Sequence, residues 1–297
     1  MSAHAAPTKK LTLSDLAAKK DAGEPIVMVT AYDFPSAQIV EDAGVDMVLV
    51  GDSAAMVVLG YDSTVPVTTD EMLMLTKAVR RGLTRPLLVG DLPFGSYEAS
   101  DEIAIATAQR FIKEAGVDLV KIERGGTTVD RARALVNAGI PVVGHVGLTP
   151  QTATALGGYR AQGRTADAAL AVIDDALALQ AAGVSLLVVE AVPSEVTAAL
   201  MPLLDIPVIG IGAGADADGQ VLVFHDLLGI YDGGVAKFVK RYADLRASAI
   251  DGVRAYADEV RDRVYPAPEH NYRMPETEAA RLRLRFPKEG ARFTPGS

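Results

Sequence analysis

Short apolar runs bounded by glycine, proline or acidic residues recur along the chain, at 26–30, 46–50, 86–90, within 115–126, then at 140–144, 185–189, 207–211 and, less sharply, 220–224. Their length suits strands, and their nearly unbroken apolar character suits strands covered on both faces. Between them apolar residues switch to helical spacing. That spacing predicts helices over 12–22, up to Gly44, from Thr68 to Gly82, over 98–115 and 129–138, through Leu170, Ile173 and Leu177 to Gly183, and over 250–264. Thr68 and Glu71 have the spacing of a capping box, and Met72, Leu75 and Val79 then share one face.

Ala-Gly-Val or Ala-Gly-Ile begins at Ala43, Ala115, Ala138 and Ala182, each time where a helix should end and a strand begin. Glycine closes a helix there because it accepts the left-handed conformation. The unequal intervals exclude a solenoid repeat and mark repeated αβ units. Alternating strands and helices imply a parallel sheet, and eight units favour a closed (β/α)8 TIM barrel, a single α/β domain, over an open doubly wound sheet. The expected organisation is a flexible tail over 1–11 with an inert His4, a barrel catalytic domain over 12–270, and a C-terminal tail over 271–297, partly disordered or docking on a neighbouring subunit. The segment 147–164, with GLTPQ and GGYRAQGR, holds too many turn formers for a regular element and is expected to be a functional loop.

Composition narrows the partners. Among 297 residues the net charge is -9 and the pI about 5.0, which argues against a nucleic-acid or anionic-membrane surface. There is no cysteine, so a metal would need oxygen or imidazole ligands. The N-terminal MSAHAAPTKK lacks the apolar core of a signal peptide, no run suits a membrane span, and a cytoplasmic location is expected.

Ligands of parallel α/β folds bind beyond the carboxyl ends of the strands. Collected there are Asp52 and Ser53, Asp91, Lys121 and Glu123, His145, and Glu190. Taken singly, each has a plainer reading: Lys121 and Glu123 as a surface ion pair, a strand-end Asp as a helix cap, His145 as a core-edge imidazole. Together, four carboxylates on one small face need raised pKa values or a cation, and all-oxygen ligation suits Mg²⁺. His145 is placed as a partner behind the ligands, and His225 as structural. The glycine run 210–214 suits a phosphate cradle, tight loop packing or the floor of a flat organic substrate.

A 2-oxo acid chelates Mg²⁺ through its keto and carboxylate oxygens, and the metal stabilises the enolate left when the adjacent proton departs. Lys121 would neutralise the substrate, and a carboxylate left off the metal would take the proton. Spacing leaves that carboxylate open. Glu190 is favoured because it lies furthest in sequence from Asp52, Asp91 and Glu123 and follows a fully apolar strand.

The blocks TAYD at 30–33, VGDS at 50–53, DST at 62–64, DLPF at 91–94, KIE at 121–123, GH at 144–145, GLTPQ at 147–151, GGY at 157–159, QGR at 162–164 and GIGAG at 210–214 stand in an order that closely resembles the ketopantoate hydroxymethyltransferase family. The resemblance runs from about Thr12 to His270. It implies a (β/α)8 barrel, Mg²⁺ at Asp52, Asp91 and Glu123, oxo-acid contacts from Asp52, Ser53, Asp91 and Lys121, and Glu190 as proton acceptor. It also implies transfer of a hydroxymethyl group from 5,10-methylenetetrahydrofolate to 3-methyl-2-oxobutanoate through a Mg-stabilised enolate, giving 2-dehydropantoate for pantothenate synthesis, in a homodecamer. Tyr61 replaces a usual His before DST, Arg124 separates Glu123 from the usual Gly-Gly, and the tail beyond 270 has no counterpart. The other readings are a Mg-dependent 2-oxo-acid lyase or aldolase of a related barrel, which would not use folate, and a non-catalytic binding or assembly barrel.

Overall fold

The computed structural model describes residues 9–234 and 236–286. Its strands are β1 (Ile26–Thr30), β2 (Met47–Val50), β3 (Leu87–Asp91), β4 (Leu119–Glu123), β5 (Val142–Gly147), β6 (Leu186–Glu190), β7 (Val208–Ile211) and β8 (Gly219–Leu222). They form a closed parallel barrel in sequence order, β8 pairing with β1 as Ile26 with Gly219. The eightfold αβ pattern therefore closes rather than opening into a wound sheet.

Strand alternation divides the apolar residues into two layers. Ile26, Met28, Met47, Leu49, Leu87, Val89, Leu119, Val143, Leu186, Val188, Ile209 and Val221 fill the barrel interior. The opposite faces meet the helices, where Val48, Val50, Leu88, Val120, Val142, Leu187 and Val189 are buried. Helix Leu13–Ala22 stoppers the N-terminal end by sending Leu16, 1% exposed, into the interior cluster. Burying that side chain contributes about 1.5–3 kcal/mol.

The glycines of all four Ala-Gly-Val/Ile junctions are left-handed, with φ of 77° at Gly44, 69° at Gly116, 81° at Gly139 and 95° at Gly183. The capping box at Thr68 and Glu71 is formed and opens helix Thr69–Arg81. The stretch predicted as one helix over 98–115 is α-helical over Asp101–Arg110 and continues as a π-helical turn, Phe111–Ala115. Phe111 there fills a notch in β3, since a Cβ on Gly90 would lie 2.6 Å from its ring. His145, expected just beyond a strand ending at 144, lies inside β5. A helix at Ser194–Leu200 and a short one at Phe224–Leu227 carry too few periodic residues to be recognised in sequence. The loop 147–164 contains a single regular turn, Pro150–Thr152.

Contacts divide the chain into two units, Met1–Asp244, which holds the barrel, and Leu245–Ser297. The second unit contains helix Leu245–Arg261, which begins earlier than the helix expected at 250, and helix Glu276–Arg285, which lies in the stretch expected as a tail. The flexible tail expected at 1–11 and the tail at 271–297 fall partly outside the described residues, as does His4. Among the described residues no helix is long and apolar enough to cross a membrane.

Candidate active site

The alternation that lines the barrel interior with apolar residues ends, strand by strand, in a different chemistry. Asp91 follows Leu87 and Val89 along β3, Lys121 and Glu123 follow Leu119 along β4, His145 follows Val143 along β5, and Glu190 follows Leu186 and Val188 along β6. Asp52 and Ser53 stand just beyond β2. Register brings Asp91 beside Lys121 and Glu123 beside His145. All of the residues picked out at the strand ends meet at this end, lining an inner cavity of about 90 Å³.

Lys121 is the hub, with Nζ 3.0 Å from both Asp91 Oδ1 and Glu123 Oε1 and 3.3 Å from His145 Nδ1. The contact with Asp91 has the distance of an ion pair without the alignment of a hydrogen bond, so Asp91 Oδ1 has no hydrogen-bond partner. Asp91 Oδ2 instead accepts the Asp52 backbone N–H at 2.9 Å. His145 bridges the carboxylates, Nδ1 lying 3.3 Å from Glu123 Oε1 and Nε2 lying 3.2 Å from Glu190 Oε2. Ser53 Oγ shares a 2.8 Å hydrogen bond with the hydroxyl of buried Tyr32.

Ligand atoms of Asp52, Asp91 and Glu123 lie within 4.8 Å of one another, so this buried triad is able to hold a metal ion. Burial, reinforced by the charges of Asp91 and Glu123, pushes the Asp52 carboxyl well above its ordinary pKa. Burial also raises Asp91, against the pull of Lys121. Glu123 goes the other way: burial opposes ionisation, but Lys121 and His145 outweigh it and bring its pKa down to about 2. For Lys121, the surrounding carboxylates overcome desolvation and raise its pKa. His145 is pushed down by burial and Lys121, yet contacts with Glu123 and Glu190 lift it to about 9.

Four carboxylates against two cations leave a negative interior. Asp52 Oδ2 is buried without a hydrogen-bond partner, and Asp91 Oδ1 has only its ion pair with Lys121, so both oxygens keep acceptor capacity that a cation is able to use.

Above the inner cavity opens a larger one of about 810 Å³, and Ser53, Pro150, Glu190, Ile211 and Val223 line both. Its walls include Met56, Val57, Leu148, Leu222, Phe238 and Val239. The glycine run forms part of the lining at Gly212 and Gly214, where a Cβ on Gly212 would lie 2.3 Å from the Phe238 ring. These glycines therefore serve close packing around a chamber.

The family model of ketopantoate hydroxymethyltransferase matches residues 10–268. The chain belongs to the ketopantoate hydroxymethyltransferase family. It is thus an enzyme, a transferase. The chain is 54% identical to the 3-methyl-2-oxobutanoate hydroxymethyltransferase of Geobacillus kaustophilus, over 87% of this chain and 93% of the relative. It is 50% identical to the one of Oleidesulfovibrio alaskensis, over 95% and 96%. Among solved structures, phosphonopyruvate hydrolase (12% identity, TM-score 0.57, 92% of this chain and 96% of that one) and 2,3-dimethylmalate lyase (15%, 0.55, 93% and 99%) share the barrel fold.

Of the three departures from the pattern of the hydroxymethyltransferase family, Tyr61 and Arg124 sit outside both cavities. Tyr61 donates a 2.8 Å hydrogen bond to Glu71 Oε1, while Glu71 Oε2 caps the helix through the Thr68 N–H. It thus ties the long excursion after β2 to a helix start. Arg124 is exposed, with φ 80°, and its backbone N–H donates to His145 O at 2.9 Å. The glycine after it is required, because a Cβ on Gly125 would lie 1.8 Å from Asp175 Oδ1.

Two buried side chains escaped the sequence reading. Gln151 donates its backbone N–H to Glu123 Oε2 (3.1 Å) and its side-chain amide to Leu92 O (2.9 Å). Tyr97 donates its hydroxyl to Gln151 Oε1 at 2.7 Å and accepts the Glu123 backbone N–H at 3.2 Å. Gln151 ends the GLTPQ block, a usable signal; Tyr97 has none. Glu190 is also pinned from behind: its carbonyl accepts Leu148 N–H, and Ala191, left-handed at φ 47°, donates to Ile211 O and accepts from Gln162. Backbone held in this way at a strand end is a common property of reactive sites.

Proposed function

We propose that the chain transfers the one-carbon unit of 5,10-methylenetetrahydrofolate to 3-methyl-2-oxobutanoate, taking up one water and giving 2-dehydropantoate and tetrahydrofolate. The observation that carries this reading is the buried triad of Asp52, Asp91 and Glu123 beside Lys121, with two of its oxygens lacking hydrogen-bond partners and with Glu190 facing the same cavity. Asp52, Asp91 and Glu123 would hold a divalent cation, Mg²⁺ by the hardness of its oxygen donors, and when bound it would supply Lewis-acid polarisation of the keto oxygen.

The chain's own residues do the rest. Lys121, kept protonated by its carboxylate neighbours, binds the substrate carboxylate together with Ser53. Glu190 takes the proton from C3 of the oxo acid, and His145 orients it through the contact at Oε2. The apolar chamber above receives the folate, setting its methylene against C3 and keeping bulk water off the carbanion until the carbon–carbon bond has formed. Cytoplasmic location and a homodecamer belong to the same proposal.

The test is incubation of the purified protein with both substrates and Mg²⁺, with the product identified by mass. Formation of 2-dehydropantoate dependent on folate and metal is expected. Its absence from folded, metal-loaded protein, or cleavage of a larger oxo acid without folate, would overturn the reading.

A further inference from the structure

The large chamber carries two carboxylates in its lining, Glu190 and Asp226. Glu190 faces the inner cavity as well and has a proposed task. Asp226 lines only the chamber and takes no part in the chemistry described so far.

Its position is fixed. Asp226 sits on the short helix Phe224–Leu227 that follows β8, and that helix is tied to the barrel mouth by the Phe224 N–H donating to Thr30 Oγ1 at 2.9 Å. Thr30 lines the inner cavity, so Asp226 is held in constant relation to the reacting end. The Tyr32 ring lies 5.4 Å from that of His225, and the Tyr32 hydroxyl, which holds Ser53, feels the charge of Asp226. Among the described residues no hydrogen bond engages the Asp226 carboxylate. Burial raises its pKa, with the charge of Arg241 pulling the other way. A partly dry carboxylate on the chamber wall, with no hydrogen-bond donor of its own among the described residues, is a costly arrangement unless a ligand brings the donors.

We propose that Asp226 recognises the pterin ring of the folate, its two carboxylate oxygens accepting hydrogen bonds from the ring N3–H and the 2-amino group. This rests on the folate-dependent reaction proposed above. The pterin edge presents two parallel N–H donors, which match a carboxylate as a guanidinium does. The remaining surface of the ring is flat and suits the glycine-lined and aromatic walls at Gly212, Gly214 and Phe238. The chamber is also lined by the exposed cations Arg160 and Lys237, which suit the glutamate carboxylates at the other end of the same molecule.

Two measurements test this. In the wild type, tetrahydrofolate is compared with its 2-deamino analogue by calorimetry; loss of one of two charge-assisted hydrogen bonds should weaken binding about tenfold or more. The same pair is then measured with Asp226→Asn, whose amide turns a donor toward the ring donors. That variant should bind tetrahydrofolate roughly 10- to 100-fold more weakly and lose most of the discrimination between the two ligands. In turnover its KM for methylenetetrahydrofolate should rise by a similar factor, while the KM for the oxo acid stays put.

Equal affinity of the wild type for both ligands would overturn the proposal, and needs no variant. So would unchanged discrimination in Asp226→Asn. A wild type that forms no product at all overturns the reaction itself, a separate outcome from a wild type that turns over and whose Asp226→Asn variant keeps its folate KM.

Discussion

Asp52 should make the metal-free protein less stable, and replacing it by Asn should relieve that cost. Its ligand oxygen lies within 4.8 Å of those of Asp91 and Glu123. At that separation and an effective dielectric constant of about 20, two like charges repel by roughly 3.5 kcal/mol. Two such repulsions against one comparable attraction to Lys121 leave roughly 3 kcal/mol opposing the charged form, before desolvation is added. Asp52→Asn should therefore stabilise the protein in EDTA at pH 8 by roughly 2–4 kcal/mol, raising Tm by roughly 3–6 °C.

The pH dependence has a definite sign. The pKa of Asp52 is raised on folding, so the folded state binds the proton more tightly, and stability falls as pH climbs from the ordinary value of 3.8 through the folded value. Glu123, lowered to about 2, acts in the opposite sense, but only below its ordinary 4.5. His145, raised to about 9, adds a loss between 6.5 and 9 that both proteins share, so the difference between their curves isolates Asp52. Excess Mg²⁺ should reverse the ranking by stabilising the wild type alone. Chemical denaturation of both proteins at pH 5 and pH 8, with EDTA or Mg²⁺, measures all of this. An Asn variant that is less stable than the wild type in EDTA at pH 8 would refute the reasoning, since Asp52 would then have a partner that compensates its charge.

Three other substitutions probe separate links. Glu190→Gln should abolish deuterium exchange at C3 of the oxo acid while leaving Mg²⁺ affinity within about threefold of the wild type, because Glu190 lies outside the triad; undiminished exchange would show that another group is the base. Tyr97→Phe removes the donor to Gln151 and the acceptor of the Glu123 N–H, and should cost about 1–3 kcal/mol in urea denaturation and weaken Mg²⁺ binding by about tenfold in calorimetry. Arg124→Val places a β-branched residue at φ 80° and should destabilise the protein by about 1–2 kcal/mol with kcat unchanged, since the side chain faces solvent; a changed kcat would mean the loop after β4 reaches the chemistry.

The apolar runs marked all eight strands, and the Ala-Gly-Val/Ile junctions marked helix ends, because both signals are local. A strand buried on both faces must be apolar, and a helix that stops against a strand needs a residue that accepts positive φ. What escaped was short or irregular. Helix Ser194–Leu200 has too few turns to show a period, and the π turn at Phe111–Ala115 depends on the notch over Gly90, which exists only once β3 and its covering helix are packed. His145 reads as the end of a run, yet β5 continues past it, because its neighbours on both sides supply hydrogen bonds that periodicity does not encode.

The sequence by itself determined that the candidate site residues stand at strand ends, since period-two alternation turns Leu119, Lys121 and Glu123 to one side whatever the strand's neighbours are. On those grounds Lys121 and Glu123 read equally well as a surface ion pair. Only the closed barrel decided that this side is the interior, where both residues are nearly sealed from solvent. Closure also brought Gln151 and Tyr97 behind Glu123, turned Arg124 outward, and placed Asp226 on the wall of the chamber above Glu190. Those placements depend on contacts between residues far apart in the chain, which no local pattern records.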